Sequence, residues 1–232
     1  MAVSGTSTFN LDIAELCEEA YERAGLEMRG GYDLATARRS LNLMGLEWAN
    51  RGINLWLVEE GGVTLVAGTA TYTLPSDTID LLEHTLRTDS GETNQTDTAL
   101  YRMSVSTYSQ ITNKLTQGKP TQIYIDRLRD APTVTLWPIP SSTYNGDFVR
   151  YFRLRRVEDT GGKSSNTADI PARFLPCMVA GLAYHIAMKR PEAAPRIQML
   201  KSVYDEQFEL AAQEDREKAS WSFTPQMDSY SL

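Results

Sequence analysis

Histidines and cysteines have the broadest chemical repertoire in this chain, because they bind metals, transfer protons and act as nucleophiles. His84 and His185 are the two histidines, and neither has a cysteine or a carboxylate at ligand spacing around it. Cys17 and Cys177 fall on the apolar faces of predicted helices, where a thiol behaves as a small buried hydrophobe. We therefore predict no metal, no small-molecule cofactor and two reduced core thiols. His185, within an apolar helix, is expected in a core or an interface.

Adjacent carboxylates at several places raise the question of acid and base catalysis. The pairs are Glu18-Glu19, Glu59-Glu60, Asp205-Glu206 and Glu214-Asp215. Glycoside hydrolysis needs two carboxyls from different elements, facing each other across a cleft. Neighbouring acids on a helix or in a turn usually form a solvated face instead. Since the sequence also lacks a Gly-rich phosphate loop and a G-x-S-x-G motif, we predict no catalytic residues.

An arginine-rich segment is positively charged, although the chain as a whole has a formal net charge of −7. As a strand, it places Arg150 and Arg156 on one face and Arg153 and Arg155 on the other. Arginine is enriched at protein interfaces, and acidic helix faces of a neighbouring copy would complement it. We interpret these four arginines as candidates for an inter-subunit contact. Nucleic-acid contact is the alternative.

Helical periodicity near the C-terminus predicts the element around which the chain is organised. Phe174, Met178, Leu182 and Ile186 recur every four residues and indicate a buried helix, with Pro171 suited to its first turn. An amphipathic helix follows, so residues 169–219 read as a helical hairpin. Such a hairpin is unstable alone, because most helix stability comes from burying apolar faces.

Two N-terminal helices supply the expected cover. The first is predicted from a cap at Asn10 to Ala24, and the second from a cap at Asp33 to Gly52. Each presents an apolar stripe on one face. Packing of the two helix pairs against each other predicts a helical bundle.

The middle of the chain changes to β-branched and aromatic residues with short glycine-containing breaks. Short strands joined by short turns favour antiparallel pairing. A turn is expected at Gly61-Gly62 and a short helix from Ser104 to Leu115. The predicted strands are Trp56 to Val58, Val63 to Val66, Thr71 to Leu74, Ile79 to Leu86, Leu100 to Met103, Gln122 to Asp126, Thr133 to Pro138 and Phe148 to Val157.

The predicted class is therefore α+β: a helical bundle built from the N-terminal and C-terminal helix pairs, with an inserted, mostly antiparallel β domain. The expected parts are 1–52 and 160–219 for the bundle, 53–159 for the β domain and 220–232 for an extended tail. Trp221, Phe223, Tyr230 and Leu232 make this tail apolar, which predicts that it docks on a partner. The alternative is a disordered end with incidental aromatic residues.

Composition restricts the class of function. With 41% hydrophobic and 23% charged residues, the chain is an ordinary globular protein. Its pI near 5.0 argues against a protein that grips phosphate backbones, since that affinity comes from clustered Lys and Arg. No apolar run of about 18 residues and no apolar leader occur, so we expect folding in the cytosol without a membrane anchor.

Several short sequence segments, taken in order, resemble those of a known family. They are Ala20-Tyr-Glu-Arg-Ala-Gly25, Leu55-Trp-Leu-Val-Glu-Glu60, Gly68-Thr-Ala-Thr-Tyr-Thr-Leu-Pro75 and Asp169-Ile-Pro-Ala-Arg-Phe174. Over roughly Leu11 to Pro225, the sequence resembles the head-to-tail adaptor proteins of short-tailed bacteriophages, also called head–tail connectors or tail accessory factors. The segments are structural, and the family offers no catalytic residues to carry over.

The resemblance implies a non-enzymatic virion protein, made in the host bacterial cytoplasm, that forms a dodecameric ring below the portal. The ring would contact the portal protein on one side and the tail nozzle, with possible fibre proteins, on the other. Double-stranded DNA would pass through it without specific binding. The apolar tail residues Trp221, Phe223, Tyr230 and Leu232 then become candidates for portal contact.

Two other functions remain open at this point. A tail-associated peptidoglycan hydrolase would use one of the acidic pairs, and it requires a cleft with two facing carboxylates. A nucleic-acid-binding module would use the arginine-rich segment, and it requires salt-sensitive DNA retention.

Overall fold

The structure is a computed structural model that describes residues 5–6 and 9–216. Helices lie at both ends of this range and strands lie between them. The α-helices are α1 Ile13–Ala24, α2 Gly31–Asn50, α3 Val105–Gln110, α4 Leu175–Ala187 and α5 Ile197–Glu214. The strands are β1 Val58–Thr64, β2 Thr71–Thr73, β3 Thr78–Thr88, β4 Thr96–Ala99, β5 Tyr101–Met103, β6 Gln117–Gly118, β7 Gln122–Asp126, β8 Thr133–Trp137, β9 Ile139–Pro140 and β10 Phe148–Arg155.

Helix α1 begins at a capping box centred on Asp12. The Glu15 backbone N–H donates to the Asp12 carboxylate at 2.8 Å, and the Asp12 N–H donates to the Glu15 carboxylate at 3.1 Å. This reciprocal pair satisfies two otherwise unpaired helix donors. The expected cap at Asn10 is wrong, because Asn10 has no glutamate three residues later and instead accepts from the Leu11 N–H.

Helix α2 begins before the expected cap. Gly30 is the N-cap residue, and Asp33 lies in the first helical turn. The Asp33 carboxylate accepts from the Arg29 backbone N–H at 3.1 Å and from the Arg190 guanidinium. Asp33 therefore fixes the start of α2 to the C-terminal end of α4, and its prediction as the cap is wrong.

Helix α4 is the centre of the helical region and packs against α1, α2 and α5. It follows a short 3₁₀ turn at Ala172–Phe174, so Pro171 precedes the helix instead of lying in its first turn. At Gly181, a Cβ atom would lie 2.5 Å from the Met44 sulfur and 2.7 Å from the Tyr204 ring. The missing side chain lets α2 and α5 approach α4 closely. Across this contact, Trp48 Nε1 donates to Tyr204 Oη at 3.0 Å.

The strands form two four-stranded sheets and a small third one. One sheet has the order β1-β10-β3-β4 and is antiparallel throughout. The second has the order β2-β8-β7-β5, in which β5 pairs with β7 in parallel, and β6 pairs in parallel with β9. The segment from β5 through α3 is long enough for a parallel crossover. Pairing is therefore mostly antiparallel, as predicted.

Residues 56–64 differ from the expected strand-and-turn pattern. Leu55–Leu57 forms a 3₁₀ turn instead of a strand, and Gly61 and Gly62 lie inside β1 instead of forming a turn. Rings of β10 explain the glycines: a Cβ on Gly61 would lie 2.6 Å from Tyr151, and one on Gly62 2.0 Å from Phe148. These glycines therefore admit the rings of the neighbouring strand.

Three strands were not expected from the sequence. Strand β4 is fully exposed, and β6 and β9 are two residues each, so none of them shows an alternating apolar pattern. The predicted short helix at Ser104 to Leu115 is present as the shorter α3. The α+β class is confirmed, whereas the regular bundle of helix pairs and the domain boundaries stay predictions.

Two separate hydrophobic cores match the two kinds of element. One lies among α1, α2, α4 and α5 and includes Trp48 and Phe174. The other lies between the sheets and includes Leu86, Ile123 and Tyr151. Polar contacts built around the arginine-rich strand connect the two cores.

Candidate functional site

The arginines of β10 form an ion-pair network with acids of their own chain. Glu59 of β1 accepts from Arg153 at 2.8 Å and from Arg155 at 2.6 Å. Arg153 also donates to Asp77 at 2.6 Å, and this bond holds the pKa of the Asp77 carboxyl below its usual range. The side chains of Arg153 and Arg155 are only 12% and 13% exposed, so their charges need these partners.

Asp169 ties this network to the start of the C-terminal helices. Its carboxylate accepts two bonds from Arg155, at 2.5 and 3.0 Å, and one from the Glu158 backbone N–H at 3.0 Å. Burial opposes ionisation of Asp169, but these bonds outweigh it and lower the pKa of the carboxyl. The Asp169 carbonyl also accepts from Trp56 Nε1 at 3.0 Å. One residue therefore joins β10, the segment before β1 and the segment before α4.

A second aspartate fixes the other crossing between helices and strands. Asp215, just after α5, accepts from the backbone N–H groups of Asn54 and Leu55 at 2.7 and 3.1 Å. Each connection between the two cores is thus held by a carboxylate that reaches across it. The helical and sheet regions are joined by fixed polar contacts as well as by the chain itself.

Arg150 and Arg156 lie nearer the surface than the other two arginines. Arg150 donates to Glu60 at 2.5 Å, and that bond lowers the pKa of the Glu60 carboxyl. The exposed Arg156 donates from its guanidinium to the Arg129 carbonyl and has no carboxylate partner among residues 9–216. All four arginines therefore have contacts within the chain, and their role between subunits stays a prediction.

A groove with an apolar floor and an acidic rim opens between α1 and the start of α4. Its volume is about 590 Å³. Glu18 and Glu22, one turn apart on α1, are exposed and have no ion-pair partner in the described part of the chain. Phe9 at its mouth is 73% exposed. The Glu19–Arg23 ion pair also borders it. We call it the acidic groove, with Phe9, Leu11, Leu175 and Val179 as apolar lining and the unpaired Glu18 and Glu22 as rim.

The outer side of α2 carries the opposite charge. Tyr32 and Leu43 are 76% and 66% exposed, and Arg39 lies between them on the same stripe. Lys189, after α4, lies beside Arg39, and neither cation has a carboxylate partner among the residues described. We call this surface, with its hollow of about 490 Å³, the basic face, formed by Tyr32, Thr36, Arg39, Leu43, Lys189 and Arg190.

Sequence reasoning missed both surfaces. It followed only the inward apolar stripe of the second helix, so Tyr32, Arg39 and Leu43 received no role. A second stripe on the helix could have indicated these surfaces. Its residues also step by three and four, and three of them are apolar: Tyr32, Thr36, Arg39, Leu43 and Leu46. When a helix has apolar residues on two sides, the second side is expected to pack against a surface other than the core of its own chain.

Comparison with known protein families decides the identity of the chain. The family model of the SU10 adaptor protein matches residues 11–227, which include both the helices and the strands. The chain belongs to the SU10 adaptor protein family. This is a family of phage head–tail adaptors, so the resemblance drawn from the sequence is confirmed. No curated protein matches the chain.

Membership makes the chain a structural adaptor and a component of the phage virion that interacts with head and tail components. Among the described residues, no helix of this adaptor is long and apolar enough to cross a bilayer. The portal-contact candidates Trp221, Phe223, Tyr230 and Leu232 lie outside the described residues.

Three acids of the predicted pairs lie in settings unlike those of catalytic acids. Glu59, Glu60 and Asp215 are occupied by arginine or backbone donors, as described above. A catalytic acid needs a raised pKa, whereas the Arg150 bond lowers that of Glu60. The described part of the chain holds no group of three metal-binding side chains.

The two cysteines are buried in the helical core, whereas the two histidines are half-buried and lie near charged side chains. Cys17 and Cys177 are free, and burial raises their thiol pKa values to about 11 and about 12, so the prediction of reduced core thiols is confirmed. Burial lowers the pKa of His84 and of His185, which keeps both imidazoles neutral at pH 7. His185 lies 3.6 Å from Glu47 and beside the Tyr204 ring, within the helical region as expected.

Proposed function

We propose that this adaptor forms a ring below the portal of a phage head, joins the portal to the tail nozzle and lines the channel through which DNA leaves. The observation that carries the proposal is the family match over residues 11–227. The resemblance noted in the sequence implies a twelve-membered ring, with tail fibres as possible further partners. DNA is expected to pass through without specific binding.

The charge of the chain supports a channel that does not retain DNA. Phosphates are repelled by acids and held by clustered cations. On α5, Glu206 and Glu209 are exposed, and the chain as a whole carries −7. We propose α5 as the element that faces the channel. Asp215 is excluded from this role because its carboxylate binds the Asn54 and Leu55 backbone.

The four arginines divide between two roles in this proposal. Arg153 and Arg155 hold the adaptor's own sheet and helices together through Glu59 and Asp169. Arg150 and Arg156 remain the candidates for contact with a neighbouring copy, because they lie nearer the surface. A contact made by Arg150 and Arg156 would add to the main interface between copies, which other residues must form.

The C-terminal residues Trp221, Phe223, Tyr230 and Leu232 are proposed to bind the portal, because aromatic side chains are common anchors of interfaces. A chain truncated after Ser220 should keep its thermal unfolding transition but bind portal rings at least tenfold more weakly, or about 1.4 kcal/mol. Undiminished binding to purified portal rings would remove the tail from that contact.

The ring is tested by the mass of the purified adaptor, alone and mixed with portal rings. We expect a particle containing many copies, either alone or on the portal, and a central channel in electron micrographs. A chain that stays at its single-copy mass of 26.0 kDa under both conditions would refute the proposed ring.

A further inference from the structure

We propose that the acidic groove of one copy binds the basic face of the next, and that this contact builds the ring of the proposed function. The inference rests on that function, because it names the surfaces through which copies meet. A ring of like subunits needs a heterologous contact, in which a surface meets a different surface of its neighbour. The described residues offer such a pair.

The acidic groove has the features of a receiving surface. Its floor is apolar, and Phe9 at its mouth is among the most exposed aromatic side chains of the described chain. Exposed apolar area of this kind marks interaction sites when polar residues surround it. Glu18 and Glu22 supply that rim and remain without ion-pair partners in the described chain.

The basic face has the matching features. Tyr32 and Leu43 project from α2 and supply apolar side chains of a size that a groove of about 590 Å³ accommodates. Arg39 and Lys189 flank them and carry the charge opposite to that of Glu18 and Glu22. In an acidic chain, unpaired cations next to exposed apolar side chains are best explained by an acidic partner surface. The acidic groove of a second copy is such a surface.

The two surfaces share no residue, so a single copy can use both at once. Like surfaces repel, since groove against groove brings together glutamates and face against face brings together cations. Groove therefore meets face. A contact between two different surfaces can repeat from copy to copy, which a ring requires.

Reversing the charges on each surface separately tests the contact. In Glu18→Lys with Glu22→Lys, the groove becomes basic and meets the basic face of its own kind. In Arg39→Glu with Lys189→Glu, the face becomes acidic and meets the acidic groove. Each variant alone should lose the multi-copy particle and run at the single-copy mass, while its circular dichroism stays that of the wild type.

Mixing the two variants is the decisive measurement. The basic groove of the first variant fits the acidic face of the second, and the remaining two surfaces are unchanged. An equimolar mixture should therefore restore particles, with the two variants alternating in equal amounts by native mass spectrometry. Arg39→Glu alone serves as a second variant if Lys189→Glu disturbs the bond to Ser40.

Matched controls distinguish an effect of the two proposed surfaces from an effect of the net charge of the chain. Glu83→Lys with Glu92→Lys makes the same change in net charge at exposed residues of the β region, and Lys163→Glu with Lys201→Glu matches the other variant. Both controls should assemble like the wild type, alone or on portal rings.

The outcomes distinguish this inference from the proposed function. Normal rings from both groove and face variants would overturn the contact and leave the ring intact. Rings from the groove variant that no longer bind the portal would overturn it too, by placing the portal in the groove. A wild type that stays single, both alone and on portal rings, would refute the ring and this contact together.

Discussion

Replacing Asp169 by asparagine tests whether its charge holds the helices to the sheets. The change keeps the shape of the side chain and one oxygen acceptor, which can still bind the Glu158 N–H. It removes the negative charge and turns one acceptor into an amide donor facing Arg155, where it cannot bond. Arg155 then keeps only Glu59 as its acidic partner.

The expected loss follows from the burial of the pair. The side chains of Arg155 and Asp169 are 13% and 22% exposed, so solvent screens their interaction only partly. Hydrogen bonds to charged groups contribute about 1.5–3 kcal/mol, whereas removing one partner of a fully buried ion pair costs about 3–5 kcal/mol. Because Asn keeps one bond and Glu59 remains, we expect a loss of about 2–3 kcal/mol in the free energy of unfolding.

Chemical denaturation followed by circular dichroism measures this loss, together with a fall of about 5–10 °C in melting temperature. Asp205→Asn is the matched control, because Asp205 is exposed on α5. It should change stability by less than about 0.5 kcal/mol. An Asp169→Asn variant within the same 0.5 kcal/mol of wild type would refute the reasoning that this carboxylate joins the two regions.

The pH dependence of stability gives an independent check that the charged form of Asp169 stabilises the fold. The pKa of Asp169 is lowered on folding, so the folded protein binds this proton less readily than the unfolded chain does. The stabilisation is complete above the unfolded pKa of about 3.9 and disappears as pH falls through the lower folded pKa. The stability difference between wild type and Asp169→Asn should therefore shrink as pH falls below about 4.

Further predictions concern the helical core. Gly181→Ala should lower the free energy of unfolding by about 1–2 kcal/mol, because overpacking against α2 and α5 outweighs the roughly 1 kcal/mol of helix propensity gained. Gly45→Ala, whose Cβ would have ordinary contacts, should instead raise it by about 0.5–1 kcal/mol, as urea denaturation would show. Tyr204→Phe should lower it by about 1–3 kcal/mol, because a buried tryptophan N–H loses its acceptor. Cys17 and Cys177 should resist iodoacetamide at pH 8 and react after unfolding, since burial raises both thiol pKa values; mass spectrometry counts the adducts.

These predictions have clear contrary outcomes. Stabilisation by Gly181→Ala would show that helix propensity outweighs packing at that site. Tyr101→Phe is the control for Tyr204→Phe, because Tyr101 is 72% exposed, and equal losses for both would discount the buried bond. Rapid alkylation of the native thiols would contradict their burial.

Periodicity in the sequence predicted the buried side of α4 correctly. Phe174, Met178, Leu182 and Ile186 are all at most 3% exposed. The signal was strong because the helix is surrounded by other helices, so burial follows the turn of the helix itself. The start of α1 was misplaced because a cap depends on a side-chain partner three residues later, and Asp12 has one.

The roles of Asp169 and Asp215 were beyond sequence reasoning. Asp215 binds backbone groups of Asn54 and Leu55, about 160 positions away, and no local pattern indicates such a partner. The strand β10 was placed correctly, yet its register shifts after Phe152 and Leu154 in its pairing with β3. Both shifts leave the extra residue in β3, at Leu82 and Ile79, so the pattern of β10 itself gave no sign of them.

Charges of this adaptor fall into two sets that differ in what surrounds them. Arg153, Arg155 and Asp169 are shielded from solvent and bonded to one another, so they contribute to a single folded arrangement. Glu18 and Arg39 are exposed and without ion-pair partners in the described chain, so their interactions remain available to another molecule. If the first set bound a neighbouring copy instead, the bonds that hold the fold together would be lost.

The available charges are also separated by sign, with Glu18 and Glu22 on α1 and with Arg39 on α2 beside Lys189, which follows α4. Attraction between opposite surfaces sets the direction of association, but it does not set the number of copies. A head-to-tail contact closes into a ring only when the rotation between neighbours divides a full turn, and otherwise continues as a filament. In the proposed assembly, the charged surfaces bring copies together in one direction. The shape of the contact, or the portal ring on which the copies assemble, must then determine closure.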